Sequence, residues 1–511
     1  MLFAEVAATS AAVARTRSRL AKRALLVVAL RRAHDEGAAP LVARYLAGEL
    51  RQRRTGLGWR SLASLPGPAD EPSLSVDSVD ATFEAMARLA GPGSAGERGR
   101  LAAGLFAAAT AEEQRFLRGL VTGELRQGAL DALLLDAVAE AAAVDPEAVR
   151  RAAMLAGDTS AVAVAALASD DPTAALAAIG LTVGRPVRPM LAQSAPDVAA
   201  AFAAIDAAPG RPAVVDVKLD GIRIQVHRTG DEVRVFTRSL DDITARVPEI
   251  VALARAMPAD TFVLDGEALS LDAAGRPRPF QETSSRAATR DADLAASATL
   301  TPFFFDALHV DGQDLLDAPL VERLAVLDRV AAGRTVDRLV TWDPVTAAER
   351  FAAWVAAGQE GAVVKASNAP YSAGRRGAGW VKVKPRHTLD LVVLAVERGS
   401  GRRSGTLSNI HLGARDPDGG FVMLGKTFKG MTDEMLAWQT ARFRELEVAD
   451  DGWVVTVRPE QVVEVAFDGV QRSTRYPGGV ALRFARVLRY RADKRPDEAD
   501  TIETVRELAP G

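Results

Sequence analysis

The 511-residue chain contains no cysteine. That excludes a disulfide framework, a thiolate nucleophile and a cysteine zinc finger, and it agrees with a reducing cytoplasm. Histidine is scarce too: there are five, none paired in HExxH or a similar spacing, so a zinc centre is not expected. Long apolar runs are missing. The most tempting early stretch, Ala24 to Leu30, is fenced by Lys22, Arg23, Arg31 and Arg32. It falls far short of the roughly 20 residues a membrane span needs, and no secretory signal is seen. An excess of one charge is absent as well: 63 basic and 66 acidic side chains leave a formal net charge of -3, so no global basic footprint marks a nucleic-acid partner. No internal repeat and no long low-complexity tail appear. The expectation is a cytoplasmic globular protein with no membrane association.

The hydrophobic share of 48% and charged share of 25% suit several apolar cores. At about 150 residues per domain the length suggests roughly three domains. Up to about Ala178 the text is Ala- and Leu-rich with near-3.6 spacings, such as Leu117, Leu120, Val121 and Leu125, which reads as helical. Pro66-Gly67-Pro68, Gly91-Pro92-Gly93 and Asp170-Asp171-Pro172 break it into groups, and Gly123 to Ala129 could set amides and Arg126 against a phosphate. Gly180 to Pro189 is Gly/Pro-rich and marks a boundary.

Beyond it, strands are expected over 213–228, 233–239, 261–269, 301–310, 360–366 and 378–384, with helical text over 195–208, 246–257, 319–332 and 345–357. After Lys384-Pro385-Arg386 come short strands with Gly-rich turns and one helix near 432–447, a pattern that suits a small OB-fold barrel. The expected domains are therefore helical over 1–180, α+β over 187–385 and all-β over 386–511.

Val214 to Arg228, VVDVKLDGIRIQVHR, is the most informative stretch. Asp220-Gly221 between alternating runs signals a hairpin or a tight turn between strands. Alternation puts Val215, Val217 and Leu219 on one face and Asp216, Lys218 and Asp220 on the other, then sets Ile222, Ile224 and Val226 against Arg223, Gln225 and His227. Further polar clusters follow on strands: Arg238-Ser239, Asp265-Gly266-Glu267, Phe305-Asp306, Glu360-Gly361 with Lys365, and Trp380, Lys382 and Lys384 on one face of WVKVK. Charge also gathers locally, in Arg375, Arg376, Lys382, Lys384, Arg386, Arg402 and Arg403, and again from Arg472 to Arg495. Gly420 to Thr427 satisfies GxxxxGK[ST], but its interior FVML reads as a buried strand rather than a phosphate-cradling loop. Lys426 and Lys429 are better placed to meet the phosphate of a partner.

In this order, GELRQGA, VRPMLAQ, KLDGIR, TRSL, LDGEAL, FFFDALHVDG, EGAVVK, WVKVK and RFARVLRYRADKRPDEAD resemble the ATP-dependent DNA ligases, within the wider group of lysine-adenylating nucleotidyltransferases. The resemblance covers nearly the whole chain and is closest to the three-domain bacterial and archaeal enzymes. It implies a helical DNA-binding domain, an adenylation domain and an OB-fold domain, acting with ATP and magnesium or manganese on nicked duplex DNA in replication, recombination or repair. A monomer is expected.

The resemblance also assigns roles. Lys218 is the nucleophile that takes AMP, and Arg223, Lys382 and Lys384 are cationic neighbours that would favour its free amine. Asp216 goes to the adenine edge, where many relatives carry glutamate. Arg223 and Arg238 go to sugar and phosphates, Phe305 to stacking on the base, and Arg376, Lys382 and Lys384 to phosphates. Glu267 and Glu360 are the expected metal carboxylates, Glu267 also lying at the nucleotide. Phe303 and Leu264 are assigned to the core. Asp493 and Lys494 are expected to orient leaving pyrophosphate, with a hinge near Lys384-Pro385-Arg386. Two alternatives stand beside this: an RNA ligase or capping-type nucleotidyltransferase, which the helical N-terminal region disfavours, and a P-loop or silent DNA-binding protein. An NAD-dependent ligase would carry a four-cysteine zinc module.

Overall fold

A computed structural model describes residues 1–52, 55–58, 61–62, 65–125, 130–273, 275–278, 280–288, 299–372, 379–385 and 387–509. Its first regular elements are all helices: α1 (Phe3–Arg15), α2 (Arg19–Asp35), α3 (Ala39–Leu46), α4 (Val76–Arg88), α5 (Ser94–Ala107), α6 (Ala111–Thr122), α7 (Leu130–Ala141), α8 (Pro146–Ala156), α9 (Thr159–Leu167) and α10 (Pro172–Ala177). Local chemistry sets their ends. Thr110 caps α6 while Glu113 bonds back to the Thr110 amide, a reciprocal box that satisfies two orphan donors. Asp145-Pro146 and Asp171-Pro172 start α8 and α10 as cap and first helical residue. Gly123, at φ +68, ends α6 in the left-handed region. Leu117 and Leu120 are buried from α6, whereas Leu125 lies beyond the helix end. Phe3, Leu26, Leu30, Val42, Phe83 and Phe106 share one core.

The middle of the chain carries β1 (Gln193–Ser194), β2 (Ala213–Lys218), β3 (Ile222–Thr229), β4 (Glu232–Thr237), β5 (Thr261–Ser270), β6 (Leu300–Val310), β7 (Gln313–Asp314), β8 (Arg338–Thr341), β9 (Gly361–Ala366) and β10 (Trp380–Val383). Among the described residues its α-helices are α11 (Val198–Ala204), α12 (Pro248–Arg255), α13 (Phe280–Ala288), α14 (Leu320–Val330) and α15 (Pro344–Ala356). They form two five-stranded sheets, one ordered β1-β10-β9-β2-β8 and the other β4-β3-β5-β6-β7. Of the two readings of Asp220-Gly221, the tight turn between strands holds and the hairpin is not made: β2 pairs with β8 and β9, and β3 with β4 and β5. The turn is a corner between sheets. Both faces of β2 are buried, Val215 and Val217 against Val364 and Val383, and Val214 against the second sheet's core.

The polar face of β3 is buried rather than solvated. It receives the linker: Gln225 accepts from the Val187 amide at 2.7 Å and donates to its carbonyl at 3.2 Å, and His227 Nδ1 accepts from Gly184 at 3.0 Å. Arg223 completes the row by donating to the Met190 carbonyl at 2.5 Å. Met154 and Leu155 of α8 share a core with Val187, Met190, Tyr371 and Trp380, and Arg151 pairs with Asp317 at 2.7 Å, so the helical region docks on the sheets.

The last region holds β11 (His387–Arg398), β12 (Leu407–Arg415), β13 (Phe421–Thr427), α16 (Asp433–Glu445), β14 (Glu447–Asp450), β15 (Val454–Val457), β16 (Val462–Phe467), β17 (Gly469–Arg472), β18 (Val480–Arg483), β19 (Arg486–Arg491) and α17 (Ile502–Glu507). Long β11 pairs with β12, β15 and β16, building one seven-stranded sheet over a core that includes Leu412, Phe443 and Val465. The GxxxxGK[ST] match forms β13, with Lys426 paired to Glu397, so no phosphate loop exists there. In the C-terminal charge cluster, Arg483 ends β18 while Arg486, Arg489 and Arg491 lie on β19, and Arg483, Arg489 and Arg491 are held in ion pairs. Among the described residues no helix is long and apolar enough to cross a membrane.

Candidate active site

The corner between the two sheets forms the wall of a cavity of about 740 Å³. Its position depends on close backbone contact. A Cβ on Gly221 would lie 2.4 Å from the Ala268 carbonyl oxygen, and one on Gly361 would lie 2.3 Å from that of Val383. Only glycine lets these strands approach, and that approach brings the end of β2 against β5, β9 and β10.

Lys218, Glu267, Glu360, Lys382 and Lys384 all line this cavity. Glu360 holds two of the lysines at once. Its Oε2 takes the Lys218 ammonium and its Oε1 lies 2.6 Å from Lys384 Nζ. The immediate partner of Lys218 is thus an anion, not the cations that the sequence places nearby. Burial works against the charge of Glu360, but Lys218 and Lys384 hold its carboxyl below the usual range. Lys384 also lies 2.9 Å from Asp468, which follows β16. Among the described residues Glu267 has no lysine partner, and burial pushes its carboxyl up to about 7 against the pull of Lys218 and Arg223.

The other end of the cavity is aromatic. Phe305 and Trp380 meet edge to face at 5.8 Å, and Lys365 Nζ stands 4.2 Å from the Trp380 ring centre. Below them Lys365 pairs with Asp216 at 2.5 Å, both almost wholly buried. Burial raises the Asp216 carboxyl against the pull of Lys365. Arg223 is fixed by Asp265 at 2.6 Å, with the Tyr371 hydroxyl donating to the same carboxylate at 2.7 Å. Of the three consecutive phenylalanines, Phe304 is the fully buried one, and Phe303 and Phe305 are half-buried on the opposite face. The core role expected of Phe303 therefore falls on Phe304, because alternation turns Phe304 toward the second sheet's core. Leu264 is buried as expected.

The fold gathers Asp216, Lys218, Arg223, Arg238, Glu267, Phe305, Glu360, Lys382 and Lys384 around one cavity. Arg238 is the exposed member, in the turn after β4. Arg376, like Arg126 and Arg386, lies outside the described residues. Asp493 and Lys494 are not brought in: Asp493 pairs with Arg491 at 2.7 Å and Lys494 with Asp390 at 2.6 Å, on the C-terminal sheet. That region instead meets the cavity through Arg483, paired with Asp220 at 2.7 Å, and Phe484, exposed at φ +56 with Lys384 and Lys429 about its ring. Arg483, Phe484, Asp468 and Lys365 escaped sequence assignment as site residues. Lys365 stands in the Glu360-Gly361 cluster and in EGAVVK, and Arg483-Phe484 is an arginine followed by an aromatic where a strand breaks; Asp468 carries no such local signal.

Comparison with known proteins agrees with this architecture. The family models described as "ATP dependent DNA ligase domain", "ATP dependent DNA ligase C terminal region" and "DNA ligase N terminus" match residues 189–384, 403–494 and 60–139. A "Probable DNA ligase" of Beutenbergia cavernae is 73% identical over 512 residues, covering 100% of both chains. One of Kineococcus radiotolerans is 63% identical, also over 100% of both. The solved structure named Pmar-Lig_PreS3 shares the fold, with a TM-score of 0.61 at 18% identity over 95% of this chain and 99% of that one. With its cavity lysines in the matched central segment and full-length relatives at this identity, the chain belongs to the ATP-dependent DNA ligase family.

Proposed function

We propose that Lys218 is the residue this ligase adenylates. The observation that carries the reading is the convergence of Lys218, Lys382 and Lys384 with Glu360, Glu267 and Phe305 on one cavity. The amine must give up a proton and its bond to Glu360 before its lone pair can reach phosphorus. Lys218 Nζ then forms a bond to the α-phosphorus of ATP as the bond to pyrophosphate breaks. An oxygen of the DNA 5′-phosphate next displaces the lysine and takes AMP, and the 3′-hydroxyl finally attacks that 5′-phosphate, loses its proton and expels AMP.

Each step moves anionic phosphate, so placement of cations and in-line positioning carry the rate. Lys382 and Lys384 supply charge at the phosphates, with Arg376 as a further ligand. Phe305 offers a face to the base, Asp216 stands at its edge, and Arg223 and Arg238 serve the sugar and phosphates. Glu267 fits a magnesium or manganese ion: it is a half-buried oxygen donor with no lysine partner among the described residues, and Glu360 lines the same cavity. That ion would neutralise phosphate charge. Asp493 and Lys494 act on pyrophosphate only in a second arrangement that swings the C-terminal region about 384–386.

In this reading 1–180 is an all-α DNA-binding domain, 187–385 the adenylation domain and 386–511 an OB-fold, working as a cytoplasmic monomer around nicked duplex in replication, recombination or repair. Binding through phosphates makes affinity fall with salt. The test is to incubate the protein with magnesium and α-radiolabelled ATP and denature it. Acid-labile label on wild type, absent from Lys218→Ala and discharged by nicked DNA with sealing, is the expected result. An unlabelled, folded, AMP-free wild type would overturn it.

A further inference from the structure

Asp468 is a carboxylate that the C-terminal region brings to the catalytic lysines from a distant part of the chain. It follows β16 directly, and its backbone N–H donates to the Arg483 carbonyl at 3.0 Å, so the same turn geometry that presents Arg483 presents Asp468. Its carboxylate lies 2.9 Å from Lys384 Nζ, whose second partner, Glu360 at 2.6 Å, also holds Lys218. Lys218, Glu360, Lys384 and Asp468 thus form one alternating row of charges that crosses from the adenylation region to the C-terminal sheet. Both ends of the Lys384–Asp468 contact are screened from water, at 20% and 31% exposure.

An ammonium has three donors and one charge. With two carboxylates on Lys384, an arriving triphosphate must displace one of them to use that charge. Glu360 belongs to the adenylation region and stays. Asp468 can leave only with the C-terminal region. We propose that Asp468 is a positioning residue that ties the docked C-terminal region to Lys384, opposing entry of a nucleoside triphosphate in the docked arrangement and supporting the later steps on DNA. This rests on the lysine-adenylation reading above.

The test separates the two half-reactions. ATP-dependent labelling of Lys218 and single-turnover sealing of a prepared DNA-adenylate by AMP-free protein are measured for wild type, Asp468→Asn and Asp468→Glu. Asp468→Asn is expected to label at roughly two- to five-fold lower ATP and to seal the DNA-adenylate more slowly by a similar factor, the size of a partly exposed ion pair. Asp468→Glu, which keeps the carboxylate, restores both toward wild type. A purely structural role would depress both activities together, and that outcome, or no change in either, overturns the assignment. Wild type that takes no label overturns the adenylation reading itself, and Asp468's role with it.

Discussion

Lys365 lies 2.5 Å from Asp216 at the bottom of the cavity, and both are almost fully buried. The pair joins β9 to β2 beneath the aromatic rings. Removing one partner strands the other's charge in low dielectric, so Asp216→Ala is expected to cost about 3–5 kcal/mol. The double change Asp216→Leu with Lys365→Met should recover much of that. Thermal melting of the three proteins decides it: a single variant as stable as wild type contradicts the pairing.

Lys218 is half-buried and shares Glu360 with Lys384. Lys218→Ala leaves Glu360 a second cation, so melting should shift by no more than about 1 kcal/mol while label from ATP disappears. A variant that still takes acid-labile label moves the nucleophile elsewhere.

Burial disfavours the charge of Glu267 and pushes its carboxyl up to about 7. A carboxyl raised above its unfolded value binds more protons folded than unfolded between the two pKa values. Stability from this group is therefore full below about 4.5 and falls as pH rises to about 7. In metal-free buffer, Glu267→Gln should melt higher than wild type at pH 8, by on the order of 2 kcal/mol, and gain nothing at pH 4. Equal gains at both pH values would rule out the titration as cause.

His227 has the opposite sign. Burial lowers its imidazole to about 3 while its Nδ1 accepts from the linker at Gly184. Unfolded chains bind the proton first, so the stability it contributes is complete above about 6.5 and drains away toward 3. Proteolysis near 183–187 should accelerate as pH falls through that window, and His227→Phe should flatten the dependence while weakening the clamp at every pH.

Gly221 leaves no space for a side chain. Gly221→Ala pushes a methyl into the Ala268 carbonyl, displacing the corner that carries Lys218. A loss of about 1–3 kcal/mol in stability and a fall of at least about ten-fold in the labelling rate are expected. Unchanged labelling would show that the corner tolerates movement.

Much of this was legible in the residues. Alternation marked β2, β3, β5, β6, β9 and β10, and 3.6-residue spacing marked the helical first region, because backbone geometry and one-sided burial leave local traces. Family motifs placed Lys218, Glu267, Glu360 and Lys384 among the site candidates before any contact was known. Phe304, by contrast, could not be told from Phe303 as the deeper residue, since a run of three aromatics does not say which face the second sheet covers.

By itself, then, the sequence determined the chemistry available to this protein: no thiolates, a lysine beside Asp220-Gly221, and the lysines and carboxylates strung along later strands. Tertiary structure decided which of those groups meet. It turned Asp220-Gly221 from a hairpin into a corner between sheets, gave Lys218 the carboxylate of Glu360, paired Asp216 with Lys365, and set Arg483 and Phe484 at the cavity while Asp493 and Lys494 bonded within the C-terminal sheet. Such pairings join residues far apart in the chain. They follow from how whole sheets pack and which charges must be neutralised on burial, and neither leaves a periodic trace in the local sequence.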